Sequence, residues 1–289
     1  MASTEINTDE ILIQTRRRNL IDVPWWAMVM AAVGILITYQ VFSSQNYRDT
    51  FVYLVAGVKI TLRMTLTAFP IATVIGLLTG LARTSKNVFL FNLATIYVEA
   101  IRGIPLVVIL LYFAFGLMPM LAIIFNQIGA WGLSWAEGPL LTSLFTGFAD
   151  FSTRDISYEV RAIIGLAVGY GAFEAEVFRA GIQSIGKGQM EAARSLGMTY
   201  MQAMRYIILP QAVRRVLPPL GNDFIALLKD TSLATVLAVP ELTQLGRLRR
   251  ASTFRIMETF NMVAFLYLAM TLLLSAGVRV LERALRYEE

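Results

Sequence analysis

Residues 103–125 run for 23 positions without a charged side chain. A helix of that length measures about 35 Å, enough to cross the roughly 30 Å hydrocarbon layer of a bilayer. Pro105 and Pro119 lie in or beside it and are tolerated where neighbouring helices satisfy the freed carbonyls. Uncharged runs recur at 25–42, 65–82 and 259–278. Two weaker runs carry charge: 161–181 holds Glu174, Glu176 and Arg179, and 216–239 holds Asp223, Lys229 and Asp230. Only 16% of residues are charged and 56% are hydrophobic, with a mean hydropathy of +0.61, whereas a soluble domain is about a quarter charged. The pattern predicts an all-α integral membrane protein of about six spans.

Six spans place both ends on one side. Arg16, Arg17 and Arg18 in a polar lead at 1–24, and the charged tail RVLERALRYEE at 279–289, assign that side to the cytoplasm. Trp25 and Trp26 stand where an interfacial anchor belongs, and the acidic lead argues for a retained helix at 25–42 rather than a cleaved signal. The stretch 53–64, with Lys59 and Arg63, reads as the second span extended along the outer interface. Residues 126–159 read as a long external loop, and 182–215 as a cytoplasmic one. Arg247, Arg249, Arg250 and Arg255 then fall outside, against the usual excess of cations inside.

The chain has neither cysteine nor histidine, which excludes Ser-His and Cys-His nucleophiles, thiolate zinc and histidine-ligated metal. The formal charge of +5 is spread along the chain with no RNA-binding or zinc pattern beside it, so it reads as topology and not as a nucleic-acid surface. Glu176 and Arg179 are three apart and share a helix face, predicting an internal ion pair; Glu99 and Arg102 repeat the spacing. Gly76 and Gly80 have the G-x3-G spacing of close helix packing. Glu174 lies about 200° round the helix from Glu176 and cannot share its arginine. An unpaired carboxylate at membrane depth is a functional candidate, here for lining a polar pathway, with a salt bridge to a neighbouring helix or subunit as the alternative.

One stretch is polar and helix-forming amid this lipid-soluble chain: EAARSLGMTYMQAMRYIILP at 191–210. Residues 189–196 favour a helix, Gly197 permits the left-handed conformation that closes one, and Thr199 with Gln202 has capping-box spacing for the next, with Pro210 as its expected end. Ala192 and Ala193 predict a surface that another backbone approaches closely.

This stretch fits EAA-x3-G-x9-I-x-L-P without mismatch and so resembles permease subunits of type I ABC importers. VEAIRGIPLVVILLYFAFGL at 98–117, AFEAEVFRAGIQSI at 172–185 and LPPLGNDFIALLKDTSLATVLAVPELT at 217–243 resemble the polar amino acid permeases within that group. The resemblance implies a five-helix core within 51–289, with 25–42 as an extra helix and 126–159 as an external insertion. It implies a second permease subunit, identical or related, a cytoplasmic ATPase dimer, an external binding protein, a polar amino acid as cargo, and a bacterial inner membrane. Glu191, Ala192, Ala193, Gly197 and Pro210 would couple to the ATPase through the 182–215 loop. Asn222 and Asp223 would join Glu174 along the substrate pathway, and Glu99, Arg102, Glu176, Arg179, Lys229 and Asp230 would be structural or gating charges. The chain has no G-x4-GK-[ST] phosphate loop, the nearest fragment being GKG at 186–188. A non-catalytic subunit without its own cofactor is therefore expected, with ATP and magnesium bound by the partner. The alternative is an ion- or proton-coupled secondary transporter, which requires inverted repeats that the hydrophobic pattern lacks.

Overall fold

The computed structural model describes residues 25–285, and every regular element among them is helical. The arginine triplet at 16–18 and the last four residues of the charged tail lie outside this range. In chain order the helices are α1 (Trp25–Ser43), α2 (Gln45–Ala82), α3 (Val88–Arg102), α4 (Leu106–Leu133), α5 (Pro139–Ala149), α6 (Tyr158–Gln183) and α7 (Lys187–Ser195). They continue with α8 (residues 200–230), a 3-10 segment Thr231–Leu237, α9 (Leu242–Thr253) and α10 (Ile256–Leu285). By length and composition three are fit to cross a bilayer: Gln45–Ala82, Leu106–Leu133 and Ile256–Val280. Shorter apolar helices occupy Ala27–Ser43 and Pro139–Ala149.

The centre of the bundle is the pairing of α2 with α6. Lipid tails are as apolar as leucine, so membrane helices associate where small residues let backbones approach. A Cβ on Gly76 would stand 2.7 Å from Glu174 Cβ, and one on Gly80 2.8 Å from Phe178 Cβ. The G-x3-G pair is therefore the seam, and because 76 meets 174 while 80 meets 178, the two helices run parallel. Met64, Ala68 and Ala72 of α2 bury against Leu110 and Ala114 of α4, Ala162, Leu166 and Tyr170 of α6, and Leu227 of α8. A second cluster joins Leu54 to Leu228, Leu242, Met262 and Leu266. There Gly57 admits α9, whose Leu242 Cα would lie 2.7 Å from an added Cβ.

Four sequence expectations change. The run 65–82 is only the end of a 38-residue helix, which carries the 53–64 stretch within it; Arg63 is neutralised by Glu159 of α6 at 2.5 Å. The run 216–239 is not one helix: α8 stops at Asp230, the 3-10 segment follows, and Ala238 turns the chain at φ 56°. Glu241 then caps α9, its carboxylate accepting from the amides of Thr243 and Gln244 at 2.8 and 2.7 Å and from the Tyr267 hydroxyl at 2.9 Å. Residues 126–159 are largely helical rather than loop. α4 continues through Leu133 and α5 folds back on it, because Gly129 and Gly132 leave room for Ala149 and Phe145. Finally, 88–102, to which no element was assigned, forms α3, whose first amides at Phe89 and Leu90 bond the Asn87 side chain.

The two ends of the bundle are distinct. Arg255 bonds Asn46 at the start of α2 and the Arg249 guanidinium lies 5.5 Å over the Tyr53 ring. At the other end Arg83, just past α2, meets Glu176 near the end of α6 at 2.9 Å. The unexpected arginines therefore sit opposite α7.

Candidate functional site: a capped helical turn and a buried acidic centre

α7 ends in a Schellman turn. Gly197 has φ +83°, its amide bonds the Arg194 carbonyl at 3.0 Å, and the Met198 amide reaches back to Ala193 at 3.1 Å. Two residues on, the Thr199 hydroxyl accepts from the Gln202 amide at 3.3 Å while the Gln202 side chain accepts from the Thr199 amide at 2.8 Å. The capping box is thus present as the spacing predicts. Pro210 does not end this helix. A π turn at Met204–Ile208 shifts the hydrogen-bond ladder just before the proline, and the α-helix resumes at Leu209–Asp230.

Glu191 and Ala192 are exposed on α7, but Ala193 is only 4% exposed. The expected pair of docking alanines is therefore split, since neighbouring residues lie about 100° apart round a helix. Beside Ala192 the surface is apolar: Leu196 is 81% and Met201 71% exposed. The unit is braced by Ile185, Ile208 and Ala212, and by Arg215, whose guanidinium donates to the Ser184 carbonyl at 2.5 Å.

Of the charges expected to pair, Glu176 does bond Arg179 and is shared with Arg83. Glu99 does not pair with Arg102: its partner is Arg83 at 3.4 Å, while the Arg102 guanidinium sits 5.9 Å over the Phe173 ring. The third helix ends at Arg102, so that side chain swings toward α6 and leaves Glu99 to the arginine following α2.

Glu174 is fully buried, and neither carboxylate oxygen has a hydrogen-bond partner. The facing Thr73 hydroxyl donates instead to the Phe69 carbonyl at 2.9 Å. Asp223 of α8 is close enough to act on Glu174 electrostatically, and one of its own oxygens is buried without a partner. Tyr170, one turn before Glu174, donates to Asp230 at 2.8 Å. Tyr97 of α3 donates to the Val168 carbonyl at 2.6 Å and feels the Glu174 charge. The structure thus gathers Glu174, Asp223 and Asp230 where α8 gives way to the 3-10 segment. Asn222 and Lys229 are exposed and stand apart from the carboxylates. Tyr97, Tyr170 and Thr73 escaped sequence reasoning; only the four-residue spacing of Tyr170 from Glu174 hints at a shared face. Among the described residues no cluster is built to hold a metal ion.

A helical bundle with small-residue seams, a helix broken beside unpaired carboxylates and a polar capped turn projecting at one end defines a membrane transport subunit. Residues 72–287 match the family described as binding-protein-dependent transport system inner membrane component, and the chain belongs to that family. It is 37% identical over 233 residues to the glutamine transport system permease protein GlnP of Escherichia coli (strain K12), covering 81% of this chain and 93% of that one. It is 37% identical over 237 residues to the probable glutamine ABC transporter permease protein GlnM of Bacillus subtilis (strain 168), covering 82% and 95%. Among solved structures, an amino acid ABC transporter crystallised with histidines matches with a TM-score of 0.63 at 34% identity, over 80% of this chain and 94% of that one. The inward-facing MetNI methionine ABC transporter shares the fold, with a TM-score of 0.60 at 23% identity over 81% and 96%. The chain is an inner-membrane permease subunit of ABC import type.

Proposed function

We propose that this subunit forms part of the pathway for a polar amino acid, together with a second identical or related permease, and that α7 couples it to a cytoplasmic ATPase dimer. The observation that carries the coupling is the Schellman turn at Gly197 feeding directly into the Thr199–Gln202 capping box. Such a turn holds Glu191, Ala192 and Leu196 on a stiff projecting face, so a push on that face is passed to α6 and α8 through Arg215 and the Ile185 cluster. α7 then lies in the cytoplasm, as do both chain ends, with ATP and magnesium bound by the partner. An external binding protein delivers the amino acid at the opposite end.

Glu174, with Asp223 near it, supplies an acceptor for the ammonium of the amino acid where the fifth span breaks. Broken helices with unpaired polar groups are where membrane transporters place ligands. Asn222 and Lys229, exposed on the same helix, belong to the pathway and to gating respectively in this reading. Reconstituted vesicles test it: uptake should stop when ATP is withdrawn and continue when the proton gradient is collapsed. The reverse pattern would identify a secondary transporter.

A further inference from the structure

The helical hairpin of residues 118–149 has no place in the pathway or the coupling unit. Its first arm is the outer part of α4, its second arm is α5, and Gly138 at φ +93° makes the turn before Pro139. No charged side chain occurs from Gly103 to Ala136 or from Pro139 to Ala149. The α5 helix buries none of its residues fully: Leu140 is 78% and Leu144 51% exposed, and on the other arm Met120 and Ile123 are 55% and 59% exposed.

Two further observations say what covers this surface. First, its polar groups are satisfied from within. The Asn126 amide serves the carbonyls of Phe148, Ala149 and Phe151 at 3.2, 2.6 and 2.9 Å, closing the end of α5 that water would otherwise solvate. Thr142 and Thr146 return their hydroxyls to the Gly138 and Thr142 carbonyls at 3.0 and 2.8 Å. Hydrocarbon demands such internal pairing and water does not. Second, the height is right. Arg161 donates to the Ala114 carbonyl at 3.0 Å and its near neighbour Glu159 bonds Arg63, so Ala114 and Arg63 are level. Trp131 is as many residues beyond Ala114 as Asn46 is beyond Arg63, a rise of about 25 Å in each case, and Asn46 bonds Arg255 beside the start of α10. The hairpin therefore reaches the level where the apolar helix α10 begins. At that tip Trp131, Trp135 and Phe145 stack with ring centroids 5.3 and 5.2 Å apart, an aromatic group of the kind that sits at headgroups.

We propose that residues 118–149 form a re-entrant hairpin immersed in the leaflet remote from α7, with Leu140, Leu144 and Ile123 against acyl chains and Trp131 and Trp135 at the headgroups, rather than a segment lying in the external solution. Lipid fits better than a single protein face because both arms are apolar and exposed. Lipid surrounds such a body, while one partner covers one side.

The chain has no cysteine, so single variants Ile123→Cys, Leu140→Cys, Leu144→Cys and Ser134→Cys take a nitroxide label without background. In the complete complex in lipid, with uptake retained, labels at 123, 140 and 144 should be reached by oxygen and lose access to a water-soluble nickel chelate. The label at 134 should show the reverse. Nickel access at 140 and 144 equal to that at 134 would overturn the proposal. So would spin–spin broadening between two copies labelled at 144, which would make a second permease the cover, or loss of oxygen access only when loaded binding protein is added.

Discussion

Glu174 shows how much one side chain depends on its surroundings. Its carboxylate is buried and unpaired because Gly76 lets α6 press against α2 at that level, leaving no room for an intervening donor. Glu176, two residues on, faces Arg83 and Arg179 and is fully paired. Glu174→Gln should therefore leave insertion and abundance unchanged while weakening uptake, most for cationic substrates. A charge-assisted contact of about 1.5–3 kcal/mol corresponds to a loss of roughly tenfold or more in transport efficiency. Equal kinetics for acidic, neutral and basic amino acids in vesicles would remove Glu174 from the pathway. Gly76→Val tests the seam itself. With Glu174 Cβ 2.7 Å and the Ala175 amide nitrogen 3.1 Å from the new Cβ, the overpacking should cost about 1–3 kcal/mol, seen as a lower melting temperature of the complex in detergent.

At the scale of elements, the α7 turn is a unit whose two halves fail differently. An added Cβ on Gly197 meets nothing within 4 Å, so the penalty of Gly197→Val lies in the backbone at φ +83°: about 1–2 kcal/mol for a left-handed residue. Thr199→Ala removes one half of the capping box, about 1 kcal/mol. Both variants should insert and still dock binding protein, yet lose the stimulation of ATP hydrolysis by loaded binding protein, Gly197→Val more severely. Hydrolysis by the purified complex in lipid, with and without loaded binding protein, measures this. Full stimulation in Gly197→Val would show that α7 is not the coupling element.

For the molecule as a whole, polarity rests on the separation of its two ends. Arg249 and Arg255 are engaged by Tyr53 and Asn46, whereas Arg247 and Arg250 are exposed. With α7 in the cytoplasm these two face outward, where an acidic surface of the binding protein would meet them. Arg247→Glu combined with Arg250→Glu should slow association with the binding protein, and the effect should shrink as salt is raised. A cysteine at exposed Ser252 should react with an impermeant thiol reagent from the outside. Reaction only from the cytoplasmic side would invert this topology.

Periodicity and local chemistry made several features legible in the sequence: the all-helical membrane class, the turn at Gly197, the Thr199–Gln202 box, the Gly76–Gly80 seam and the Glu176–Arg179 pair. Each depends on residues within a few positions of one another, so the chain's own helical repeat decides it. What the tertiary structure alone decided depends on partners distant in sequence. A π turn lets the helix run through Pro210, and Ala193 turns inward because α8 returns beside α7. Glu99 goes to Arg83 because α2 ends there. Segment 126–159 becomes helix because Gly129 and Gly132 receive α5 and one asparagine satisfies its last carbonyls. The same reason sets Glu174 apart from Glu176: its isolation comes from helices that meet it across the bundle, and no spacing within its own helix records them.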